Sequence, residues 1–291
     1  MIPAEVLKKI RAIQIRTSRQ VTDLFAGAYH SAFKGRGMEF EDVREYQFGD
    51  EVTSIDWNVT ARMNAPYIKN YREERELRVM LVVDLSASGR FGSSGKGKRE
   101  MIVEIAALLA LVAQRNGDKI GLLLFTDRVE KYLAPSRGMG HIQRVIRELL
   151  LFEPEGEGTD IAAAMGYLGR IHRRRGICFL LSDFLAPDAS SELSIAAKRY
   201  DLISLCITDP KEIDFPDVGL ISLRDLESGV RRLIDTSKDE VRGQLRAEAT
   251  GRIESVRSLM HRVRGTFIDL RTDGDYLAQL RSCFARREVR R

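Results

Sequence analysis

Five short apolar segments constrain this chain more than any other feature of its sequence. They are Val79–Asp84 (VMLVVD), Lys119–Thr126 (KIGLLLFT), Ile177–Ser182 (ICFLLS), Leu202–Thr208 (LISLCIT) and Thr266–Leu270 (TFIDL). A strand with one solvated face alternates apolar and polar residues, whereas an unbroken run suits a strand buried on both faces. Val129–Leu133 fits an edge strand beside the second run. Helical spacing recurs between the runs, over residues 98–115, 140–152, 160–173, 188–199, 238–263 and 275–286. Two short strands are expected between 219 and 235, around Glu227-Ser228-Gly229. Alternating strands and helices predict an α/β fold with an open, mainly parallel, doubly wound sheet.

The first 77 residues differ in character. Residues 4–18 carry Val6, Leu7, Ile10 and Ile13 at helical spacing, and a Gly-rich interval follows from Gly27 to Gly37. Residues 38–78 read as short strands and turns broken by Gly49-Asp50 and Asn64-Ala-Pro66, with the single tryptophan, Trp57, expected as a core anchor. The expected organisation is a helical start and β-rich lead-in over 1–77, packed on an α/β domain over 78–291. Glu39, Glu41, Asp42 and Asp56 are expected to pair with Arg44 and Arg62.

Composition excludes several functions. The longest apolar run, Ile105 to Ala113, falls far short of the roughly 20 residues a spanning helix needs. The opening MIPAEVLKKI has no secretory pattern. Three cysteines in apolar surroundings read as buried thiols rather than a disulfide framework, and four scattered histidines argue against zinc. From Arg231 onward, 15 Lys/Arg face 9 Asp/Glu. Aromatics do not alternate with these arginines as a single-strand nucleic-acid groove requires, so a solvated helix face is the simpler reading.

In a doubly wound sheet, ligands gather at the carboxyl ends of strands where the winding reverses. Two runs end in an aspartate: Asp84-Leu85-Ser86-Ala87-Ser88 and Ser182-Asp183-Phe184. Gly158-Thr159-Asp160 opens a predicted helix between them. Alternate residues of a turn leaving a strand can aim short oxygens at one point, and such hard donors suit Mg²⁺ or Mn²⁺. Each piece alone could equally be a helix cap.

The DxSxS pattern with a later Thr and Asp resembles the metal-ion-dependent adhesion site of von Willebrand factor type A domains. That resemblance implies Mg²⁺ held by Asp84, Ser86, Ser88, Thr159 and Asp183, with one coordination position open to a partner's carboxylate. The chain is also similar to the bacterial domain of unknown function 58 family. The matching residues are Gly37-Met-Glu39-Phe40, Arg44-Glu-Tyr46, Gly49-Asp50, Ile55-Asp56-Trp57, Ala61-Arg62, Glu73-Glu74-Arg75, Gly117-Asp118-Lys-Ile-Gly121, Phe125, Gly158-Thr159-Asp160 and Ser182-Asp183-Phe184. The likeness implies a non-enzymatic protein-binding module working with a MoxR-type AAA+ ATPase. Longer relatives look membrane-anchored through N-terminal apolar helices. This chain has no such segment, so a cytoplasmic location is expected.

Competing readings are weaker. Gly92-Ser-Ser-Gly-Lys-Gly97-Lys98 fits most of a nucleotide-binding P-loop, but Arg99 stands where Ser or Thr should hold Mg²⁺. A phosphatase of the haloacid dehalogenase type would need an aspartate at Ser86, and no histidine is placed by sequence to activate that serine.

Overall fold

The computed structural model describes residues 19–33, 38–63, 65–73, 77–93, 97–224 and 230–289. Helix α1 (Arg19–Phe33) precedes a hairpin of β1 (Met38–Glu45) and β2 (Tyr67–Glu73), antiparallel and separated by the short helix α2 (Trp57–Met63). Then follow β3 (Arg78–Asp84), α3 (Lys98–Arg115), β4 (Lys119–Phe125), β5 (Val129–Ser136), α4 (Met139–Leu151) and α5 (Ile161–Ile171). The chain continues through β6 (Gly176–Ser182), α6 (Ser190–Arg199), β7 (Tyr200–Thr208) and a single turn of helix, α7 (Pro210–Ile213). A second hairpin, β8 (Leu220–Arg224) and β9 (Arg231–Asp235), leads to α8 (Asp239–Arg262), β10 (Thr266–Arg271) and α9 (Tyr276–Val289).

The main sheet has six strands in the order β10-β7-β6-β3-β4-β5, all parallel except the antiparallel edge strand β5. This is the α/β, mainly parallel, doubly wound sheet expected from the apolar runs, and each run forms a strand. Successive side chains of a strand point to opposite faces, and β3 divides accordingly. Val79, Leu81 and Val83 enter one core with α1, α3, α4 and α9; Met80 and Val82 enter the other with α5, α6 and α8. Both faces of the sheet are therefore dry, which explains why the runs do not alternate.

Differences are concentrated in the first 77 residues. The expected helix over 4–18 lies outside the described residues, as does the Glu227-Ser228-Gly229 turn. The Gly27–Gly37 interval is in part helical: α1 passes through Gly27, whose Cα faces open space. Phe25, Tyr29, Ala32 and Phe33 lie on one buried stripe of α1. Phe33 packs edge-on against Phe284 at 5.5 Å and Phe179 at 6.1 Å, joining α1 to α9 and the sheet.

Trp57 is not a core anchor: it is 67% exposed. Asp56 receives hydrogen bonds from Asn58 and Val59 and so caps α2, placing Trp57 on the first turn of a short surface helix; Ile68 takes the buried position instead. The ion pairs seen among the described residues of the lead-in extend the expected set, with Asp42 also acting on Arg44 through its charge. Arg44 makes a forked pair with Asp50 at 2.7 and 2.8 Å, and Asp56 faces Lys69 at 3.6 Å. Both observed partners lie on the hairpin and its connecting turn, where pairing across the strands sets which charges meet.

Candidate metal centre

The sheet order changes direction at β3, which has β4 on one side and β6 on the other. Asp84 and Asp183 stand at or just past the carboxyl ends of β3 and β6, at this reversal.

Asp84 is buried and tied down at both oxygens. Its Oδ1 accepts from the backbone N–H of Ser86 at 2.9 Å, and its Oδ2 accepts from Ser182 Oγ at 2.6 Å. The first bond folds the chain back after the strand, and the next residues wind into a 3₁₀ turn over Ala87–Arg90. Ser86 precedes that turn without capping it; its hydroxyl lies 3.0 Å from the hydroxyl of Ser88, both buried. Asp84, Ser86 and Ser88 thus gather as the spacing requires.

The third segment reaches the same place by backbone contacts. Ala87 N–H donates to Glu157 O at 2.9 Å, and Asp160 N–H donates to Thr126 O at 2.8 Å, so the loop carrying Thr159 runs beside the turn. Thr159 is buried. It is not the cap of α5, because Asp160 accepts from Ala163 N–H at 2.7 Å in that role.

Asp183 sits in a tight turn. Its Oδ1 accepts from Leu185 N–H at 3.1 Å, while Ser182 Oγ, already donating to Asp84, accepts from Phe184 N–H at 2.9 Å. Phe184 has φ 56°, a left-handed backbone conformation costing a bulky residue on the order of 1 kcal/mol or more. Burial of Phe184 in the second core holds this turn in place.

Two further residues belong to the cluster. Lys98, the first residue of α3, is fully buried; its Nζ lies 2.6 Å from Asp183 Oδ2 and 2.6 Å from Glu212 Oε1. Glu212 is carried by α7, whose Asp209 forms a reciprocal capping box with it. The signal for that helix was legible as Asp209-Pro210-Lys211-Glu212, a cap followed by proline and an acidic residue three positions on. The pairing with Lys98 was not, because 114 residues separate the two.

The electrostatics follow from burial. Desolvation, then the negative charge of Asp183, raises the Asp84 carboxyl to about 7 despite its three hydrogen-bond donors. Burial opposes the charged form of Lys98, but Asp183 and Glu212 outweigh it and leave the ammonium above its ordinary value. Burial likewise raises Glu212, with Lys98 pulling the other way. When all four groups are ionised, three carboxylates face one ammonium, so the cluster carries two formal negative charges in excess.

The chemistry of the donor set fits a hard divalent cation: carboxylate and hydroxyl oxygens, with a net charge such an ion would neutralise. Cys206 lies beneath Asp183, but burial pushes its thiol pKa well up and keeps it protonated. Among the described residues, no group of three or more His, Cys, Asp and Glu is placed to hold a metal.

Lys98 does not present its ammonium to solvent as a phosphate-binding lysine would. On α8, Arg246 faces Asp214 at 3.1 Å, Arg257 faces Asp269 at 3.6 Å, and Arg242 bonds Asp239. These pairs agree with a solvated face. No helix among the described residues is long and apolar enough to cross a membrane.

Residues 42–254 match the family described as protein of unknown function DUF58. The chain belongs to this family. Uncharacterized proteins of Mycobacterium tuberculosis (strain H37Rv) and Mycobacterium bovis are each 31% identical to it over 277 residues, covering 93% of this chain and 86% of theirs. Among solved structures, the conserved hypothetical protein BatB of Bacteroides thetaiotaomicron aligns with 74% of this chain and 100% of its own, at 16% identity and TM-score 0.47. The SpRpn10 VWA domain aligns with 70% of this chain and 93% of its own, at 10% identity and TM-score 0.39. Both superpositions are loose. The DUF58 chain presents its DxSxS motif at the switch point of its own sheet.

Proposed function

We propose that this DUF58 protein is a non-enzymatic protein-interaction module whose docking face is a Mg²⁺ centre (or Mn²⁺) held by Asp84, Ser86, Ser88, Thr159 and Asp183. The observation that carries this reading is the convergence at the switch point of two buried carboxyl groups, Asp84 and Asp183, with two buried serine hydroxyls 3.0 Å apart. When bound, the ion would supply a Lewis-acidic position able to take a carboxylate from a partner. The protein's own residues do the rest: Ser182 and the Ser86 amide orient Asp84, and the Phe184 turn aims Asp183. Family resemblance points to a MoxR-type AAA+ ATPase as partner, in the cytoplasm.

A ligand that binds only the folded state stabilises it by RT ln(1 + [L]/Kd), about 2.7 kcal/mol at 100 times Kd. Saturating Mg²⁺ or Mn²⁺ should raise the parent's unfolding free energy by that order, and Asp84→Ala or Asp183→Ala should abolish the gain. Equal responses in parent and both variants would overturn the site. Capture of a purified MoxR-type ATPase in Mg²⁺ but not in chelator is the expected result for the partner; capture indifferent to metal would separate the partnership from this face.

A further inference from the structure

The doubly bonded Lys98 is not explained by metal binding. A buried ammonium is held in place by partners, and here one of the two is Asp183, a carboxylate assigned to the metal. The other, Glu212, is carried by α7. Asp183 already has a donor on each oxygen, Leu185 N–H on Oδ1 and Lys98 on Oδ2. Any divalent ion must therefore share this carboxylate with a cation that the chain carries itself.

The lysine is also firmly placed. Its own N–H donates to Phe91 O at 3.1 Å, and the preceding loop is fastened through Ser93, whose N–H donates to Asp209 Oδ2 at 2.8 Å and whose hydroxyl donates to Asp209 Oδ1. Asp209 in turn caps the helix that carries Glu212. Ser93, Asp209, Glu212 and Lys98 are thus linked in one chain of contacts that ends on Asp183.

We propose that Lys98 is a tethered counter-cation of the metal centre, competing with the divalent ion for Asp183 while Glu212 draws it away, so that this triad sets the metal affinity. The inference rests on the reading of Asp84 and its neighbours as a metal centre. An ammonium a few ångströms from a divalent ion repels it strongly in a poorly solvated site, and Glu212 offsets part of that repulsion.

The two charges predict opposite effects, which a purely structural role does not. Titration of the full chain with Mn²⁺, followed by isothermal calorimetry, should show Lys98→Met binding roughly tenfold or more tighter than the parent, and Glu212→Gln binding more weakly. Asp84→Ala serves as the control for the site. Asp84-dependent binding in the parent, with Lys98→Met equal or weaker, overturns the proposal and leaves the metal centre standing. Binding that appears only in Lys98→Met and needs Asp84 supports it. Absence of Asp84-dependent binding in every protein overturns the metal centre and the proposal together. Should Lys98→Met fail to fold, Glu212→Gln, nearly isosteric, still decides: unchanged or tighter binding refutes the tethered cation.

Discussion

Tyr29 and Asp118 fasten α1 to the main domain, and the strength of that link depends on pH. Tyr29 Oη donates to Asp118 Oδ2 at 3.0 Å, and the backbone N–H of Leu77 donates to Oδ1 at 3.0 Å. Asp118 is 3% exposed, and burial raises its carboxyl to about 6 while the two donors hold the rise in check. In the unfolded chain the same group titrates near about 4. Between these values the folded protein binds more protons than the unfolded chain, so the contribution of Asp118 declines as pH rises from about 4 to about 6 and is level beyond. Two units correspond to roughly 3 kcal/mol. Tyr29 itself is raised well above its ordinary value by burial and then by Asp118, so it remains a donor through neutral pH. Tyr29→Phe keeps the ring and removes the donor. Asp118 should then rise further, each added unit being worth about 1.4 kcal/mol. The variant should therefore lose about 1.5–3 kcal/mol near pH 8, where the bond is charge-assisted, and about 0.5–1.5 near pH 5, where it is neutral. Urea unfolding of parent and variant at both pH values measures this, and the difference of differences cancels every group the mutation leaves alone. A loss equal at the two pH values would mean that the Tyr29–Asp118 bond gains nothing from the charge on Asp118.

Two further substitutions test the fold around the site. A Cβ on Gly176 would collide with the backbone carbonyl of Arg78 and approach Arg78 Cβ at 3.2 Å. Gly176→Ala should cost about 1–3 kcal/mol in denaturant unfolding because β3 cannot yield; an unperturbed midpoint would mean that β6 can shift against β3. Trp57→Ala should change stability by no more than about 0.5 kcal/mol, as for other exposed positions; a loss above about 2 kcal/mol would restore the tryptophan as a core residue.

The central strands were legible because burial on both faces writes the same local pattern into each. Val79–Asp84 and Ile177–Ser182 need no knowledge of their neighbours to be read as strands, and their terminal aspartates then fall at the sheet's mouth. The α1 helix was harder. Phe25, Tyr29, Ala32 and Phe33 have helical spacing, but Gly27 within it and the glycines after it suggest a break, and only docking against Phe284 and Phe179 overrides that local preference. Lys98 was visible only as part of an incomplete P-loop, a reading set aside on Arg99; its partners, Asp183 and Glu212, lie 85 and 114 residues away and leave no local signal. Trp57 shows the reverse failure, a large apolar residue whose burial was inferred from type alone, although a capping aspartate directly before it marks a helix start.

Placing charges at the dry mouth of the sheet is not a way to stabilise this domain. Removing a carboxylate and an ammonium from water costs several kcal/mol per ion, and their attraction returns that cost only when geometry and charge balance are favourable. Lys98 and Asp183 meet the first condition at 2.6 Å. The second fails, because Asp84 and Glu212 add negative charge without a matching cation, and Asp84 responds by moving up to about 7. The left-handed Phe184 beside them adds a conformational cost, which burial of its ring in the second core offsets. Unbalanced charge and backbone strain in one turn, within a sheet otherwise locally consistent from strand to strand, are what physical reasoning expects where a fold gives up stability to hold something. Here the imbalance has a definite sign: with its carboxylates ionised, the cluster calls for more positive charge than the single ammonium of Lys98 provides.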